Sequence, residues 1–477
     1  MNGKLSRRAL LGQAGVAAAT APLWLSACTT PARRDADVVV IGAGLSGLNA
    51  ARLLEEQGLA VLVLEAREEV GGRMRTLDHV PGRPEAGGAQ IGANYARTLA
   101  TLQALGLDTR GGRGTSFGRA FHLGGEMIAV ADWPDHPANR LEGRERALPP
   151  WQLLGAYLDG ENPLRAFDDW LAEEFQSLDQ SYEAFMRAAG ASEQAIALAG
   201  VTMNANALDS VSVFARWRSG VLYRDAMRGG AVQFVAGGSQ RLPEAMATRL
   251  SAPVLTGRTV AAITADAGSA QVRCTDGSRF TADFIICTLP FTVLRHLEID
   301  APLDPAQREA IAGLPYTQIA QIHFSATAPY WEDDGWPPAM WTDSPLQRIF
   351  MSDDEAGQPS GHHLAWLDGA AAKRLTGMSD AAVAEMALAE MARLRPASEG
   401  RLEVHEVVRW TAENPHAGGA YMHWAPGMIA RWAGRMHLPA GRLHFAGEHT
   451  GIQHTGIEAA MESGERAALE ILQHVSA

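Results

Sequence analysis

The stretch Asp37-Val38-Val39-Val40-Ile41-Gly42-Ala43-Gly44-Leu45-Ser46-Gly47 decides the fold of this chain. Its apolar run predicts a short strand that is buried on both faces, because the apolar residues follow one another without alternation. A helix is expected from the glycine turn to about Gln57, and Gly58 ends it. A second apolar run, 60–64, leads to Glu65. The pattern is one strand–helix–strand unit, which is typical of a parallel sheet.

The spacing Gly42-x-Gly44-x-x-Gly47 is typical of a dinucleotide-binding turn when it lies between a strand and a helix, as here. The first glycine allows the tight turn, the second lets the backbone approach a pyrophosphate, and the third lets the helix pack closely on the strand. Leu45 and Ser46 open the helix, whose N-terminus attracts phosphate. The alternative is a glycine-rich turn that binds no ligand.

The acidic residue at the end of the second strand points to a ribose. Glu65 follows Gly42 by 23 positions. A carboxylate there accepts hydrogen bonds from a ribose hydroxyl and repels a 2′-phosphate, which argues against NADP.

Composition narrows the class of partner. The 477 residues carry 41 Lys and Arg against 54 Asp and Glu, a formal charge of −13. No basic block follows the leader, which argues against nucleic acid as a partner. The three cysteines, Cys28, Cys274 and Cys287, have no paired spacing, so a disulfide framework is not expected.

The N-terminus predicts export. Lys4, Arg7 and Arg8 precede an apolar stretch, 9–25, which is the layout of a signal peptide of the twin-arginine type. Leu25-Ser26-Ala27-Cys28 is similar to a lipobox, in which the cysteine becomes the lipidated N-terminus. We therefore expect a periplasmic or cell-envelope protein, with membrane attachment only through a lipid anchor at Cys28. The alternative is an uncleaved anchor helix.

The order of elements predicts two interleaved, discontinuous domains. We assign 1–27 to the signal peptide and 28–36 to a tether. Segments 37–99, 231–290 and 402–477 form a nucleotide-binding domain in three parts. The mostly helical region 100–230 and the segment 291–401 form a substrate domain. Oligomeric state is left open.

Further motifs give the chain a family resemblance. The run 64–73 contains Glu65-Ala66-Arg67 and ends in Gly71-Gly72-Arg73, and 85–90 contains Gly88-Ala89-Gln90. Near the C-terminus, 445–450 contains Gly447-Glu448 and 456–464 begins Gly456-Ile457. These stretches resemble the flavin monoamine oxidases and L-amino-acid oxidases. One alternative is that Arg73 is a solvated loop residue. Another is that Glu448, His449 and His454 form a metal site, but we expect no metal.

The resemblance implies a mixed α/β fold: a Rossmann-like FAD-binding domain interleaved with a discontinuous substrate domain. It implies that FAD contacts the motifs above, and that the backbone at Val260 lies on the adenine side. The implied cofactor-binding residues are Gly42, Gly44, Leu45, Ser46, Gly47, Glu65, Ala66, Arg67, Gly72, Arg73, Gly88, Ala89, Gln90, Val260, Gly447, Glu448, Gly456 and Ile457.

The resemblance also implies catalytic positions, with three departures from the family pattern. Tyr421 corresponds to one aromatic wall of the cage at the reactive face of the flavin. Ala420 stands where mammalian-type enzymes tether FAD through cysteine, so we expect noncovalent FAD. Gln321 replaces the usual lysine that holds a water near flavin N5. Gly456 replaces the second aromatic wall, unless Trp424 takes that place.

The implied reaction is the oxidation of a small-molecule amine. Hydride passes from the α-carbon to flavin N5, and the resulting imine is hydrolysed. Electrons then pass to O2 or to a redox carrier of the cell envelope. The arginine motif of amino-acid oxidases is missing, although Arg97 lies close to that position. The alternatives are an L-amino-acid oxidase and a flavin-binding envelope protein without turnover.

Overall fold

A computed structural model describes residues 34–111, 119–353 and 359–476. The expected signal peptide, and Cys28 with most of the tether, lie outside these residues.

The strands follow the chain in this order: β1 (Val38–Ile41), β2 (Val61–Leu64), β3 (Thr109–Gly111), β4 (Ala120–Leu123), β5 (Glu126–Ala129), β6 (Gln233–Val235), β7 (Val260–Ala265), β8 (Ala270–Cys274), β9 (Arg279–Ala282), β10 (Phe284–Cys287), β11 (Glu298–Asp300), β12 (Ile319–Ala326), β13 (Met340–Thr342), β14 (Arg348–Asp353), β15 (Pro359–Asp368), β16 (Leu402–Trp410) and β17 (Leu443–Phe445).

The α-helices are α1 (Leu45–Glu56), α2 (Ala96–Leu105), α3 (Leu153–Leu158), α4 (Tyr182–Ala188), α5 (Glu193–Ala199), α6 (Val213–Gly229), α7 (Arg241–Thr248), α8 (Phe291–Leu294), α9 (Pro305–Gly313), α10 (Tyr330–Asp334), α11 (Gly369–Lys373), α12 (Asp380–Leu394) and α13 (Gly456–Ser476). Within the described ranges, no helix is long and apolar enough to cross a membrane.

One sheet of four parallel strands unites distant parts of the chain. Its order is β17-β10-β1-β2, and β1 is hydrogen-bonded to both β10 and β2 in parallel register. The strands are short and apolar because both faces are covered. Val38 and Val40 pack in the core that includes α1 and α13, whereas Val39 and Ile41 face a second core. Each of the three segments assigned to nucleotide binding contributes at least one strand.

A seven-stranded sheet, ordered β16-β12-β15-β14-β13-β4-β5, forms the second large layer. Helix α12 packs on one face, where its apolar side chains meet Ala320, Ile322 and Phe324 of β12. This helix begins directly after Ser379, whose Oγ accepts a hydrogen bond from the Ala382 N–H at 3.2 Å and so caps the helix.

Two features of this sheet differ from the expectation. Strands β4 and β5 of this sheet lie in 100–230, which was expected to be mostly helical, and so does β3, which pairs with β6 in a separate two-stranded sheet. The pair Gly124-Gly125, both with positive φ, joins β4 to β5 as a two-residue hairpin turn. Strand β16 lies within 402–477, yet it is hydrogen-bonded to β12 rather than to the four-stranded parallel sheet. The pairing of β4 with β13 and that of β16 with β12 each join strands that are far apart in sequence.

A third sheet, β11-β7-β8-β9, stands beside the parallel sheet. Its β8–β9 hairpin turns at Asp276-Gly277, and Gly277 has φ +85°. Asp-Gly is a frequent dipeptide in two-residue hairpin turns, because glycine adopts positive φ without strain. The architecture is mixed α/β, as expected.

Candidate active site

The site begins at the carboxyl edge of the parallel sheet. Gly42, Glu65 and Thr288 directly follow the strands β1, β2 and β10, and Gly447 lies two residues after the end of β17. Because the strands are parallel, all four residues lie at the same edge of the sheet. Ligands of open parallel sheets bind at this edge.

The glycine turn after β1 has the geometry of an anion site. Gly42 has φ +102°, and a Cβ on Gly47 would lie 2.1 Å from the Gly42 carbonyl oxygen, so α1 packs directly on the turn. Gly44 begins α1 without a side-chain cap, and a Cβ there would meet no atom within 4 Å. Leu45 and Ser46 are buried. The first N–H groups of α1 are therefore free to bind phosphate.

Glu65 is held beside this turn. Its Oε2 accepts a hydrogen bond from the Ala43 N–H at 2.9 Å, and its Oε1 accepts one from the Arg67 N–H at 3.0 Å. Two bonds leave the carboxylate with unused acceptor capacity for ribose hydroxyls. Ala66 lies between these two contacts, and the Arg67 guanidinium folds back to the Gly72 carbonyl oxygen at 3.3 Å.

The segment before β7 packs against the same end of β2. The Gly257 N–H donates to the Arg67 carbonyl oxygen at 3.1 Å, and the Arg258 N–H donates to the Glu65 carbonyl oxygen at 2.7 Å. Val260 begins β7 two residues later. This path brings Val260 toward the side of the sheet where Glu65 lies.

Arg73 joins three distant segments. Its Nη1 donates to Glu448 Oε1 at 2.8 Å and to the Ala420 carbonyl oxygen at 3.0 Å. Glu448 Oε1 also accepts the Met422 N–H at 3.1 Å. Burial alone lowers the pKa of Arg73, but the Glu448 carboxylate outweighs burial and the pKa is raised. Arg73 is thus a charged, ordered group and not a solvated loop residue.

Tyr421 is placed by this junction. The Thr317 N–H donates to the Tyr421 carbonyl oxygen at 2.8 Å, and the Tyr421 hydroxyl donates to the Asn204 carbonyl oxygen at 3.1 Å. Burial raises the pKa of the Tyr421 phenol above its ordinary value. The ring remains partly exposed, so it borders open space beside Arg73 and Ala420.

The start of α13 completes the site. Gly456 has φ +61°, and a Cβ there would meet no atom within 4 Å. Ile457 packs on the segment 85–90, since a Cβ on Gly88 would lie 3.3 Å from Ile457 Cγ1. Ala89 and Gln90 follow Gly88 with increasing exposure.

The loop before Gly456 is fixed by two buried charges. Glu462 accepts the N–H groups of Ile452, Gln453 and His454 at 2.9 Å each. Arg218 donates from Nη2 to the carbonyl oxygens of residues 451, 452 and 454. The loop that presents Gly456 is therefore rigidly held.

Gln321 lies on β12, on the face that points away from α12. Ile319 of the same face packs in the cluster that includes Ala86, Trp410 and Tyr421. Gln321 is 1% exposed, and its Oε1 accepts a hydrogen bond from His323 Nε2 at 3.2 Å. It is a neutral group, and the sequence predicts that it corresponds to the lysine of the family pattern.

These residues fit FAD. The uncapped α1 N-terminus suits a pyrophosphate, Glu65 suits a ribose, and His449, in the loop after β17, is buried with neither ring nitrogen hydrogen-bonded among the described residues. Burial and the nearby Arg73 lower the pKa of His449 well below its ordinary value, so its ring is neutral and keeps one N–H to donate.

The chain matches flavin-containing amine oxidoreductases over residues 45–472. It belongs to this family. An L-amino-acid oxidase from Mus musculus is 27% identical over 457 residues, which cover 91% of this chain and 70% of that protein. Amine oxidase B from Homo sapiens is 26% identical over 464 residues, which cover 91% of this chain and 86% of that protein.

Two solved structures share the fold. Cyclohexylamine oxidase from Brevibacterium oxydans has a TM-score of 0.74 at 20% identity, covering 93% of this chain and 100% of that one. Wild-type putrescine oxidase bound to putrescine has a TM-score of 0.71 at 22% identity, covering 92% and 99%. The protein is accordingly an FAD-dependent amine oxidoreductase.

The alternative of a metal site in this amine oxidoreductase has no geometric support. Glu448 binds Arg73, His449 packs on Phe291 with ring centroids 4.4 Å apart, and His454 lies 3.3 Å from Glu462 Oε2. Their side chains therefore have separate partners. In the part of the chain that the structure describes, no three His, Cys, Asp or Glu residues are grouped to hold a metal ion.

Trp424 is a poor substitute for the second aromatic wall. It is 4% exposed and packs on Trp170, with ring centroids 5.8 Å apart. Its ring therefore presents little surface to open space, and the position at Gly456 stays open.

Several residues at the site carry no sequence motif. Thr288 follows β10, and its hydroxyl donates to the Ile41 carbonyl oxygen at 2.7 Å. The sequence offered a signal for Thr288: the run 283–289 is strand-like, and the carboxyl ends of parallel strands lie at one edge of a sheet. Arg348, Trp366 and Asp368 lie near Tyr421 only through strand register, and no local signal marks them.

Proposed function

We propose that this amine oxidoreductase oxidises a small amine at the carbon next to nitrogen, using noncovalently bound FAD. The junction at Arg73 carries the proposal, because it ties the loop after Gly72 to Glu448 and to Ala420, the neighbour of Tyr421. Bound FAD supplies the acceptor for the departing hydride. The chain supplies the phosphate and ribose contacts at Gly44 and Glu65.

Tyr421 would orient the substrate. The face of its ring attracts a substrate amine and holds the α-carbon toward the cofactor. No side-chain nucleophile is needed, so positioning by Tyr421 and the neutral Gln321 is the main contribution of the chain.

We favour an amine over an α-amino acid as substrate. Arg97, the arginine closest in sequence to the missing carboxylate-binding motif, donates from Nε to Glu465 at 2.5 Å and also lies near Glu458. These ion pairs join α2 to α13, so the Arg97 guanidinium is already engaged by two carboxylates of the chain. The similar proteins include both an L-amino-acid oxidase and amine oxidases, and a substrate screen distinguishes the two substrate classes.

The decisive experiment is an anaerobic substrate screen of the purified holoprotein. A primary, secondary or polyamine of the right shape should bleach the flavin absorbance near 450 nm, which is a property of flavins in general. Bleaching by common α-amino acids instead would favour the amino-acid oxidase alternative. Holoprotein that stays yellow with every compound would favour flavin binding without turnover.

The electron acceptor is tested on the reduced protein. We propose reoxidation by O2 or by a redox carrier of the cell envelope. Gln321 brings no positive charge to the position of the usual lysine, which favours a carrier. Mixing the reduced protein with air-saturated buffer and, separately, with a cytochrome compares the two rates directly.

The noncovalent state rests on Ala420, which offers no thiol beside Tyr421. Denaturation in acid should release all of the flavin into the supernatant. Flavin that stays with the precipitated polypeptide would contradict the proposal.

We also propose export by the twin-arginine signal in 1–27 and lipidation at Cys28. Labelled fatty acid should attach to the wild-type chain and not to Cys28→Ala. Equal labelling of both would overturn the lipobox interpretation, and a cytoplasmic pool unchanged by Arg7→Lys with Arg8→Lys would overturn export.

A further inference from the structure

Gln321 lies among the side chains that border Tyr421. Trp366 of β15 and Val408 of β16 lie opposite Gln321, on either side of β12. Both residues pack in the same cluster as Tyr421. Directly opposed residues of antiparallel strands share one face of a sheet, so Gln321 faces this cluster. It therefore belongs to the surroundings of the proposed reactive face.

A row of three buried side chains starts at Gln321. Its Oε1 lies 3.2 Å from His323 Nε2, and His323 Nδ1 lies 3.3 Å from His362 Nε2. The centroids of the two imidazole rings are 5.4 Å apart. His323 is 0% exposed and His362 is 7% exposed. These three side chains, which we call the histidine row, are thus held inside the sheet.

The oxygen of the Gln321 amide determines the proton positions along the histidine row. An amide oxygen only accepts hydrogen bonds, so His323 Nε2 must carry a proton. A neutral imidazole has a single N–H, so His323 Nδ1 is an acceptor. The donor to it must then be His362 Nε2. Each hydrogen bond of the row therefore points from His362 toward Gln321.

Both imidazole rings are neutral, which the proton positions require. Burial, to which His362 and Arg75 add, lowers the pKa of His323 to about 3. Burial also lowers the pKa of His362 to about 4. Glu406 of β16 lies opposite His323, but its carboxylate is paired with Arg75 and His79, at 3.1 Å each. His323 therefore keeps one N–H, and that N–H is bound to Gln321.

The nitrogen of the Gln321 amide is available to the site. Gln321 Nε2 has no hydrogen-bond partner among the described residues. It is also not one of the unpaired polar atoms that are sealed off by the protein, so the small exposed part of Gln321 includes this nitrogen. An amide nitrogen has two N–H groups and only donates. Gln321 thus presents donors on the face that borders Tyr421.

We propose that His323 and His362 are positioning residues that make Gln321 a dedicated hydrogen-bond donor at the reactive face. The inference rests on the proposed amine oxidation beside Tyr421. The sequence predicts that Gln321 corresponds to the lysine of the family pattern, and an ammonium group donates without accepting. A free glutamine amide turns either its oxygen or its nitrogen to a site. The histidine row removes that choice, so the chain keeps the donor polarity of a lysine without its charge.

The direction of donation is tested without turnover. Holoprotein with isotope-labelled histidine nitrogens gives an NMR spectrum that distinguishes protonated from bare ring nitrogens. The signals of His323 are assigned by their loss in His323→Gln. We expect a protonated Nε2 and a bare Nδ1 for His323 at every pH from about 5 to 9. The opposite tautomer, or a charged ring, would overturn the inference even where amines are oxidised.

A double-mutant cycle tests what the histidine row does. His323→Leu removes the donor to Gln321, and we expect the rate constant of anaerobic flavin reduction to fall about tenfold at nearly constant KM. His323→Gln keeps an N–H donor and should restore most of the rate. In Gln321→Lys, whose ammonium needs no orienting partner, His323→Leu should change the rate less than about twofold. Equal losses in both backgrounds would show that His323 acts only through packing and would overturn the inference.

His363 provides a matched control next to His362 on β15. It is 0% exposed, but it lies on the opposite face, where it stacks on Phe324 and its Nε2 is 2.9 Å from the Tyr330 hydroxyl. His363→Leu removes a buried hydrogen bond without touching the histidine row. We expect the folded, flavin-containing variant to stay within about twofold of the wild-type rate. A loss as large as that of His323→Leu would overturn the special role of the row.

Failure of the proposed function has a different result. Wild-type holoprotein that no amine reduces would count against amine oxidation itself. The tautomer of His323 would still be measurable in that protein, and it decides whether the histidine row fixes the Gln321 amide.

Discussion

Arg73 and Glu448 lie 375 positions apart in the sequence, yet Arg73 Nη1 and Glu448 Oε1 are 2.8 Å apart. The same Arg73 nitrogen reaches the Ala420 carbonyl oxygen. One side chain therefore sets the distance between the first cofactor loop, the loop after β17 and the residue before Tyr421. Damage at this junction should affect folding and flavin binding together.

Breaking the Arg73–Glu448 pair should be costly. Arg73→Met leaves Glu448, whose side chain is 11% exposed, as a largely buried unpaired carboxylate. Loss of one partner of a buried pair costs about 3–5 kcal/mol, so the free energy of unfolding in urea should fall by that amount and the flavin-to-protein ratio should drop. Arg187→Ala breaks an exposed pair with Glu193 and should leave the free energy of unfolding almost unchanged. Equal effects of the two variants would contradict the role of Arg73.

Two glycines of one turn should respond differently to alanine. A Cβ on Gly44 meets nothing within 4 Å, so Gly44→Ala should fold normally and bind flavin more weakly. A Cβ on Gly47 would lie 2.1 Å from the Gly42 carbonyl oxygen, so Gly47→Ala should lower the melting temperature itself. Thermal unfolding of the apoproteins and flavin titration measure the two effects. Unimpaired flavin binding by folded Gly44→Ala would argue against a pyrophosphate at this helix.

The Tyr421 hydroxyl should have no part in the alkaline limb of the pH profile. Burial raises the phenol pKa above its ordinary value, so the group is neutral at every pH below about 10. Tyr421→Phe should therefore keep the shape of the kcat/KM profile between about pH 7 and 10. Tyr421→Ala removes the ring, worth about 1–2 kcal/mol in orienting a cation, and should lower kcat/KM about five- to thirty-fold. An alkaline limb that moves in Tyr421→Phe would show that the phenol ionises.

Glu462 should make stability depend on acid pH. Burial alone raises its pKa, but hydrogen bonds from His454 and from the backbone N–H groups of 452–454 lower it to about 2. A depressed folded pKa gives stabilisation that is complete above the unfolded value of about 4.3 and is lost as the pH falls toward 2. Glu462→Gln should cost about 2–3 kcal/mol at neutral pH and roughly half of that near pH 3. Urea unfolding at both pH values checks this, and a pH-independent difference would contradict the assignment.

An aromatic residue at Gly456 should narrow the cavity. Gly456→Phe fits the open space, but φ +61° adds strain of about 1–3 kcal/mol. We expect KM for bulky secondary amines to rise while small primary amines are still oxidised. Gly377→Phe, at φ +75° and also without neighbours within 4 Å, controls for the strain. The same KM change in both variants would exclude Gly456 from the substrate wall.

The elements that could be predicted are those determined by residues adjacent in the sequence. The turn at Gly42 lies where expected, because it depends only on neighbouring residues. The helix cap at Ser379 and the hairpin turn at Asp276-Gly277 are local in the same sense. The meeting of the first and last segments was also predictable, because both carry strand–turn–helix motifs for one nucleotide.

The substrate side was not predictable in the same way. Arg348 approaches Tyr421 only because β14, β15 and β12 pair in a particular register. Register is set by contacts across the whole sheet, and a single sequence does not reveal it. The place of β4 in the seven-stranded sheet was missed for a related reason, since its second partner, β13, lies more than two hundred residues later.

The parallel sheet has a consequence for biosynthesis. Its strand β1 leaves the ribosome early, but the edge strand β17 ends only at Phe445. At about 5–20 residues per second, the ribosome needs on the order of half a minute to a minute to travel between them. Until then the nascent chain has the glycine turn but lacks the opposite side of the nucleotide cleft. Flavin insertion therefore waits until β17 has been synthesised, and a truncated polypeptide that stops before β17 should reach the quality-control proteases colourless.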